Sequence, residues 1–320
     1  LMQTFTAERM HELGFGRQTF NLETDADGRV KVHVFKGARD AEDYYKLNDQ
    51  LWYRRVAAEL DKEFPTRKAK NVVIAAYTRF DPKTGKMLGH TALGGGGQGL
   101  FGSGDLFTWP DSIETAQAGF MNTTRIDPKA IMSDSIGRHT YWGAASTTIG
   151  ATLHEMGHAF GLPHSTDRLD IMTRGFDRFN RAFTFVDAPS AANKKPIAFG
   201  ENDVAAFMPV SAAALVTSPW FTLDGPPPTS PNKIEIVLRK KDDTIVATSP
   251  QGIRYVGGSK KGDMQLFAAP PPGQPAPTTF ATPIEPFRKK IGDEGRLVVI
   301  DGFGHRREVR LSELTAAKEE

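Results

Sequence analysis

The sequence predicts two domains: an α/β (α+β) domain over residues 1–225 and an all-β antiparallel sandwich over residues 226–320. Three observations lead to this prediction. Helical and strand-like patterns alternate along the first two thirds of the chain, as in α/β layer folds. The segment LDGPPPTSPNK is rich in proline and is typical of a stiff linker. Short strand-like runs then follow at even spacing over roughly 90 residues, as in a β-sandwich.

Hydrophobic periodicity and turn residues give the elements of the first domain. Tyr45, Trp52, Val56 and Leu60 recur at helical spacing, and Pro65 ends that pattern. The expected elements are a helix near 3–13, a hairpin over 17–35 with its turn at Asp27-Gly28, a long helix over 38–64, a strand over 71–80, strands at 87–93 and 105–109, and short helical pieces near 176–182, 201–207 and 211–216.

The segment LGGGGQGLFGSG lies between two of these strands. Glycine-rich loops can cradle phosphates, but no Gly-Lys-Ser/Thr follows and no helix begins there, so the P-loop pattern fails. We therefore expect a flexible surface loop. In the second domain, the predicted strands are KIEIVLRK, TIVATS, GIRYV, DMQLFAA, RLVVIDG and RREVRL, and the proline-rich stretch APPPGQPAPTTFATPIEP is expected to be a long loop.

Composition and charge exclude several classes of function. The chain has 40 basic and 38 acidic residues and a formal charge of +2, which gives no electrostatic case for nucleic acid. There is no cysteine, so disulfides and thiolate ligands are excluded. No apolar run is long enough to span a bilayer. The chain starts at Leu1 inside a helical pattern, so we expect a fragment of a longer precursor with its targeting segment upstream.

Three of the eight histidines lie in the eleven residues HEMGHAFGLPH, from His154 to His164. The preceding ASTTIGATL has the pattern of a helix, with Ser146 or Thr147 as its cap and Gly161 as its left-handed end. On a helix, positions i and i+4 share one face, so His154 and His158 can aim at one metal ion.

The remaining residues of this segment complete a metal site. A turn at Gly161 can bring His164 to the same ion, since glycine adopts positive φ without strain. Three neutral ligands leave a fourth position open for water, as in catalytic zinc sites. Glu155 is displaced around the helix axis and is suited to reach that water as a general base. We predict one catalytic Zn²⁺; no EF-hand or glycine-aspartate calcium repeat is visible, so structural Ca²⁺ is not predicted.

HEMGHAFGLPH matches the metzincin signature His-Glu-x-x-His-x-x-Gly-x-x-His at every defined position. LDIMTRGF supplies Met172 where metzincins have a methionine turn beneath the metal. HEMGHAFGLPHSTDRLDIMTRGFDRFNRAF more closely resembles an uncharacterised family of fungal and bacterial zinc metallopeptidases, some with a jacalin-like domain. The resemblance implies a metzincin-like catalytic domain with a mixed twisted sheet, an active-site helix and zinc-dependent endopeptidase activity.

The resemblance also implies how a peptide or protein substrate binds. Metzincins bind substrate along the edge of their sheet, and KMLGHTALGG is similar to the edge strand of matrix metalloproteinases. His90 would then be a candidate to face the cleft. Several metzincins have a tyrosine two residues after the methionine, whereas this chain has Arg174; oxyanion stabilisation by Arg174 or Tyr141 is left open beside a structural role.

Two rival hypotheses remain. The chain is either an enzyme or a protein whose β-sandwich binds a carbohydrate or protein, with an inactive or latent metalloprotease domain. A zinc hydrolase acting on a non-peptide amide is a further alternative, which a closed pocket would favour over an open groove. For the enzyme, we expect an extracellular or cell-envelope location.

Overall fold

The structure is a computed structural model that describes residues 1–221, 231–271 and 274–314. The helices are α1 (Met2–Glu12), α2 (Ala41–Tyr45), α3 (Asp49–Leu60), α4 (Ala116–Phe120), α5 (Tyr141–Ala159), α6 (Pro209–Val216) and α7 (Glu285–Ile291). The strands are β1 (Asn71–Ala75), β2 (Arg79–Asp81), β3 (Lys86–Leu88), β4 (Ala92–Gly95), β5 (Gln98–Gly102), β6 (Val186–Asp187), β7 (Ile197–Ala198), β8 (Glu235–Arg239), β9 (Thr244–Thr248), β10 (Ile253–Lys260), β11 (Asp263–Ala268), β12 (Thr279–Pro283), β13 (Arg296–Asp301) and β14 (Arg306–Arg310).

The chain forms two compact units and has a mixed α/β architecture with several sheets, as the sequence predicts at that level. The first unit comprises Leu1–Phe5, Leu22–Leu162 and Asp167–Ala206. The second comprises Thr6–Asn21, Pro163–Thr166 and the chain from Phe207 onward. The predicted domain boundary at 225/226 and the first eight residues of the predicted linker fall within residues 222–230, outside the described residues.

A three-stranded mixed sheet in the order β1-β5-β4 is central to the first unit. β5 is parallel to β1 and antiparallel to β4. One face packs on α3 through a buried apolar cluster that includes Trp52, Val56, Leu60 and Leu100. This is the predicted apolar stripe of the long helix.

The long helix and the hairpin predicted before the sheet are both shorter in the structure than expected. The helix over 38–64 is broken into α2 and α3, because the Asn48 side chain caps a new start by accepting the Leu51 N–H at 3.0 Å. The hairpin over 17–35 is reduced to a turn with one bridge, Thr24 to Val30. Val32 and Val34 are strongly exposed there, so no core face holds longer strands together.

The prediction for the glycine-rich segment was wrong. The segment forms the β4–β5 hairpin, and Gly96-Gly97 have φ of 55° and 98°, as a tight two-residue turn requires. A side-chain Cβ at Gly99 would lie 2.8 Å from the Glu155 backbone carbon in α5. These glycines therefore permit close packing of strand on helix. The strand expected at 105–109 is instead a short 3₁₀ turn at Leu106–Thr108.

The second unit contains two antiparallel sheets, in the orders β11-β10-β13-β14 and β12-β9-β8. All six strands expected in this region are present. Apolar residues of both sheets form one buried cluster, which includes Ile236, Ile245, Val256 and Val299. The predicted long loop was wrong in part, because it contains β12 and runs into α7. Phe287 and Ile291 of α7 join the cluster, which explains why this polar-looking segment is ordered as a helix.

Among the described residues, no helix is long and apolar enough to cross a membrane.

Candidate active site

The helix α5 carries the first part of the HEMGHAFGLPH segment, and it starts earlier than the sequence suggests. Its N-cap is Thr140, whose Oγ1 accepts the Gly143 N–H at 3.3 Å. The capping role predicted for Ser146 or Thr147 was wrong: Thr147 lies inside the helix, and its hydroxyl donates to Asp177. Nearly every residue of α5 is buried, so packing rather than helix propensity fixes its position.

The predicted end of this helix is confirmed. Gly161 has a φ of 90°, the left-handed conformation that follows many helices. Its N–H donates to the His158 carbonyl at 3.0 Å, and the Leu162 N–H donates to the Gly157 carbonyl at 2.9 Å. The chain therefore leaves the helix in a fixed direction, directly before His164.

His154 and His158 present the same ring nitrogen to each other. Their Nδ1 atoms lie 2.7 Å and 2.8 Å from the carbonyl oxygens of Ile171 and Leu162. A carbonyl only accepts, so each Nδ1 carries the hydrogen and each Nε2 is the unprotonated nitrogen of its ring. The two Nε2 atoms are 3.1 Å apart. This separation is near the roughly 3.3 Å expected for two imidazoles on a tetrahedral zinc ion.

The structure brings His164 to the same place. One candidate ligand atom from each of His154, His158 and His164 lies within 4.8 Å of the other two. No other group of three or more such residues is found in the described part of the chain. The Nε2 atoms of His154 and His158 face each other without a hydrogen between them, and a cation that both can bind stabilises this arrangement. The three histidines therefore fit a zinc ion.

Glu155 is buried beside the histidines, with 6% of its surface exposed. Burial raises the pKa of its carboxyl to about 8. Burial and, secondarily, the Glu155 charge raise the pKa of Tyr53 on α3. The Tyr53 hydroxyl donates to the carbonyls of Gly95 and Gln98 at the β4–β5 turn. Sequence reasoning did not single out Tyr53, which lies about a hundred positions before Glu155.

One side of α5 packs on the sheet, and another side packs on the segment that follows the histidines. Met172 is fully buried, and its sulfur lies where a Cβ at Gly157 would be. The turn is held by Asp170, whose Oδ1 accepts the Met172 N–H at 3.0 Å and whose carbonyl accepts the Thr173 N–H at 2.9 Å. The Phe176 ring packs edge-on against His154, with centroids 5.3 Å apart. The methionine therefore lies under the turn of helix that carries both ligands.

A buried polar network joins this segment to α5. Arg138 is 7% exposed and donates to the Thr147 hydroxyl at 2.6 Å and to the carbonyls of Gly143 and Asp177. Burial lowers the pKa of Arg138 to about 10, so it stays charged at neutral pH. Arg174 donates through Nε to the Asp177 carboxylate at 2.8 Å. Nothing in the sequence indicated Arg138, because one of its main partners, Asp177, lies 39 positions further along the chain.

The three remaining candidates are placed as follows. Arg174 is engaged by Asp177 and lies 3.6 Å from Asp134, with its guanidinium over Phe176. Tyr141 is the first residue of α5, roughly 20 Å from His154 along the helix axis, so the structure does not bring it to the histidines. His90 packs edge-on against Phe101, and its buried Nδ1 lies against Gly102.

Comparison with known proteins indicates the family of the chain. The model of the Putative peptidase family matches residues 1–254. A "Putative zinc metalloproteinase" of Schizosaccharomyces pombe is 29% identical over 286 residues, which cover 82% of this chain and 46% of the relative. Another of that name from Saccharomyces cerevisiae is 28% identical over 218 residues, covering 59% of this chain and 31% of the relative. The chain thus spans less than half the length of either.

Solved structures show a similar fold. Wild-type OgpA from Akkermansia muciniphila matches with a TM-score of 0.56 and 16% identity, over 98% of this chain and 85% of that one. A catalytically inactive OgpA in complex with an O-glycopeptide substrate matches with a TM-score of 0.52, over 96% and 83%. At this identity the likeness concerns the fold. The family model, which covers well over half of the residues, shows that the chain belongs to the Putative peptidase family.

Proposed function

We propose that this protein is a zinc-dependent endopeptidase with a metzincin-like catalytic site. One observation carries the proposal: three histidine nitrogens lie close enough together to fit one zinc ion, and the buried Glu155 lies on the helix that carries His154 and His158. The family membership and the relatives named as zinc metalloproteinases support it. In this proposal His154, His158 and His164 hold the ion, and Met172 forms the methionine turn beneath it.

Bound zinc supplies positive charge that polarises a carbonyl, lowers the pKa of water and favours the ionised form of Glu155. The residues of the chain transfer the proton and orient the ligands. Glu155 accepts a proton from the attacking water and returns it to the leaving amine, as a general base and then a general acid. The carbonyls of Ile171 and Leu162 hold His154 and His158 in one tautomer and one orientation. Arg174, held by Asp177, has a structural role in this proposal.

The substrate proposal rests on β4. It is the last strand of the sheet order β1-β5-β4, so one of its edges has no strand partner in the described residues. Gly94 of β4 packs directly on the backbone of Glu155 and on His158. A peptide that pairs with this edge in extended form would run past the general base. We therefore propose an extended peptide substrate, and the O-glycopeptide bound by OgpA makes a glycosylated peptide the first variant to compare.

The second unit is proposed to be a β-sandwich. Its two antiparallel sheets share one apolar cluster, which is how two sheets pack face to face. Whether this unit also binds a carbohydrate or protein is the question that separates the rival binding hypothesis from the enzyme.

The first experiment measures zinc per chain by elemental analysis and cleavage of an unfolded protein, for the wild type and Glu155→Gln. The variant keeps the size and burial of the side chain but cannot accept the proton. We expect one zinc in both proteins and a loss of roughly 10²–10⁴-fold in cleavage rate for the variant. Equal rates contradict the assigned base, and absence of zinc from the wild type contradicts the metal site.

A second assay offers one peptide sequence with and without an O-linked sugar. Faster cleavage of the glycosylated form supports a glycopeptidase, and equal rates support a general endopeptidase. One zinc without cleavage of any peptide by the wild type would contradict the endopeptidase and favour the binding hypothesis or a non-peptide amide substrate.

A further inference from the structure

The short segment that carries His164 is paired with a strand of the second unit. The Met264 N–H donates to the His164 carbonyl at 2.9 Å, and the Thr166 N–H donates to the Met264 carbonyl at 3.2 Å. Ser165 and Met264 form a parallel bridge. The segment Pro163–Thr166 thus extends the edge of the sheet β11-β10-β13-β14, and it is grouped with that unit.

The strand that receives this segment is firmly anchored. Met264 is 2% exposed and belongs to an apolar cluster with Tyr255 and Val298. A Cβ at Gly257 on the neighbouring strand would lie 2.7 Å from the Met264 sulfur, so the Met264 side chain packs directly on the glycine backbone. A tight turn with Lys261 and Gly262 at positive φ joins β10 to β11. The backbone that pairs with His164 is therefore fixed by a packed core.

The first residue of β11 faces the His164 ring. Asp263 Oδ1 lies 3.8 Å from His164 Nδ1, and their side chains are 48% and 55% exposed. His154 and His158 direct their Nδ1 hydrogens to backbone carbonyls, whereas the charged group beside His164 is a carboxylate. A carboxylate partner on a ligating histidine fixes its orientation and raises the basicity of the nitrogen that binds the metal.

We propose that Asp263, presented by the β10–β11 turn, is a positioning residue that orients His164 as the third zinc ligand. This rests on the zinc site of the proposed function. It gives β11 two roles beside His164, because β11 supplies both the backbone that pairs with residues 163–166 and the carboxylate beside the ring. A half-exposed ion pair contributes little to folding, so the role of Asp263 lies in metal affinity rather than in stability.

The test uses the whole chain and compares the wild type with Asp263→Asn and Asp263→Ala. Zinc affinity is measured by competition with a chromophoric chelator, and thermal unfolding is measured on the metal-free proteins. We expect both variants to lose roughly 10–100-fold in zinc affinity, with metal-free unfolding temperatures like that of the wild type. Asp293→Asn is the matched control, since it makes the same change at an exposed position of the same unit and should leave zinc affinity unchanged.

A second variant tests the strand pairing. Thr166→Pro removes the N–H that donates to Met264, and the extended Ser165 before it tolerates a following proline. We expect it also to lower zinc affinity. Zinc affinity within about twofold of wild type in both Asp263 variants overturns the proposal while the proposed function stands. A wild type that binds no zinc overturns the proposed function, and this inference with it.

Discussion

The two parts of the HEMGHAFGLPH segment are supported in different ways. His154 and His158 lie on a buried helix that is fixed by close contacts on two sides, at Gly99 and at Gly157. His164 lies on a half-exposed segment attached to the edge of a sheet in the second unit. One continuous stretch of sequence therefore depends on two separate packing environments, and each can be perturbed without the other.

The largest effect is expected on zinc affinity, when a histidine is removed either from the helix or from the segment after it. We expect His154→Ala and His164→Ala each to lower zinc affinity more than the 10–100-fold typical of outer partners. In metal-free protein the two should differ. His154→Ala removes a 7% exposed ring and its bond to Ile171, at a cost of about 2 kcal/mol or more. His164→Ala should stay within about 0.5 kcal/mol. Urea unfolding of the two metal-free variants checks this, and equal losses would contradict the comparison.

The second prediction concerns the pH dependence of stability and the residue Asp105, which lies three residues after the end of β5. It is fully buried, neither carboxylate oxygen has a hydrogen-bond partner among the described residues, and burial raises its pKa to about 7. The unfolded chain, with an ordinary pKa near ~3.9, loses this proton first. The contribution of Asp105 to stability should therefore be greatest below about pH 4 and fall by on the order of 4 kcal/mol as pH rises to about 7.

Asp105→Asn is the matched variant, because its amide has a similar shape and does not ionise. We expect the difference in free energy of unfolding between metal-free variant and wild type to grow in favour of the variant from about pH 4 to about pH 7. Urea unfolding across this range measures it. A difference that does not change with pH would show that Asp105 ionises at its ordinary pKa.

The third prediction tests the close contact between sheet and helix. In Gly99→Ala the new Cβ would lie 2.8–2.9 Å from backbone atoms of Glu155 and Met156, neither of which can rotate away. We expect a loss of about 1–3 kcal/mol and a lower unfolding temperature. Gly200→Ala is the control, since no atom lies within 4 Å of its Cβ and its φ is ordinary. Equal unfolding temperatures for the two variants would contradict the proposed packing.

The smallest effect is expected where the two parts of the segment join. A Cβ at Gly161 meets no atom within 4 Å, so only its φ of 90° opposes a larger residue. Gly161→Ala should therefore cost about 1 kcal/mol, less than Gly99→Ala. Differential scanning calorimetry of both variants shows which one loses more stability. A larger loss of stability for Gly161→Ala would contradict the conclusion that only its φ opposes a larger residue.

The histidine cluster and the helix end were predictable because they depend on local spacing. Four residues separate His154 from His158, and Gly161 is the one residue type that ends a helix in this way without strain. The strands of the second unit were predictable for a similar reason, since their alternation is local. These features need no knowledge of distant segments.

The features that the sequence did not reveal depend on contacts between distant residues. Gly99 was read as part of a flexible loop, because nothing nearby shows that a helix fifty residues later packs on it. Arg138 and Asp263 were passed over for the same reason. Thr140 was missed as a cap because the buried start of α5 lacks the charged residues that usually mark a first turn.

The pairing of His164 with β11 has a consequence for the order of folding. His154 and His158 are one helical turn apart, so their half of the site requires only local structure. The contact of His164 with Asp263 joins residues about a hundred positions apart, and contacts of such high sequence separation form late because a long loop must close first. A nascent chain released before β11 emerges from the ribosome would thus present His154 and His158 without a positioned His164, and we expect the proposed zinc site to form only after β11 has folded.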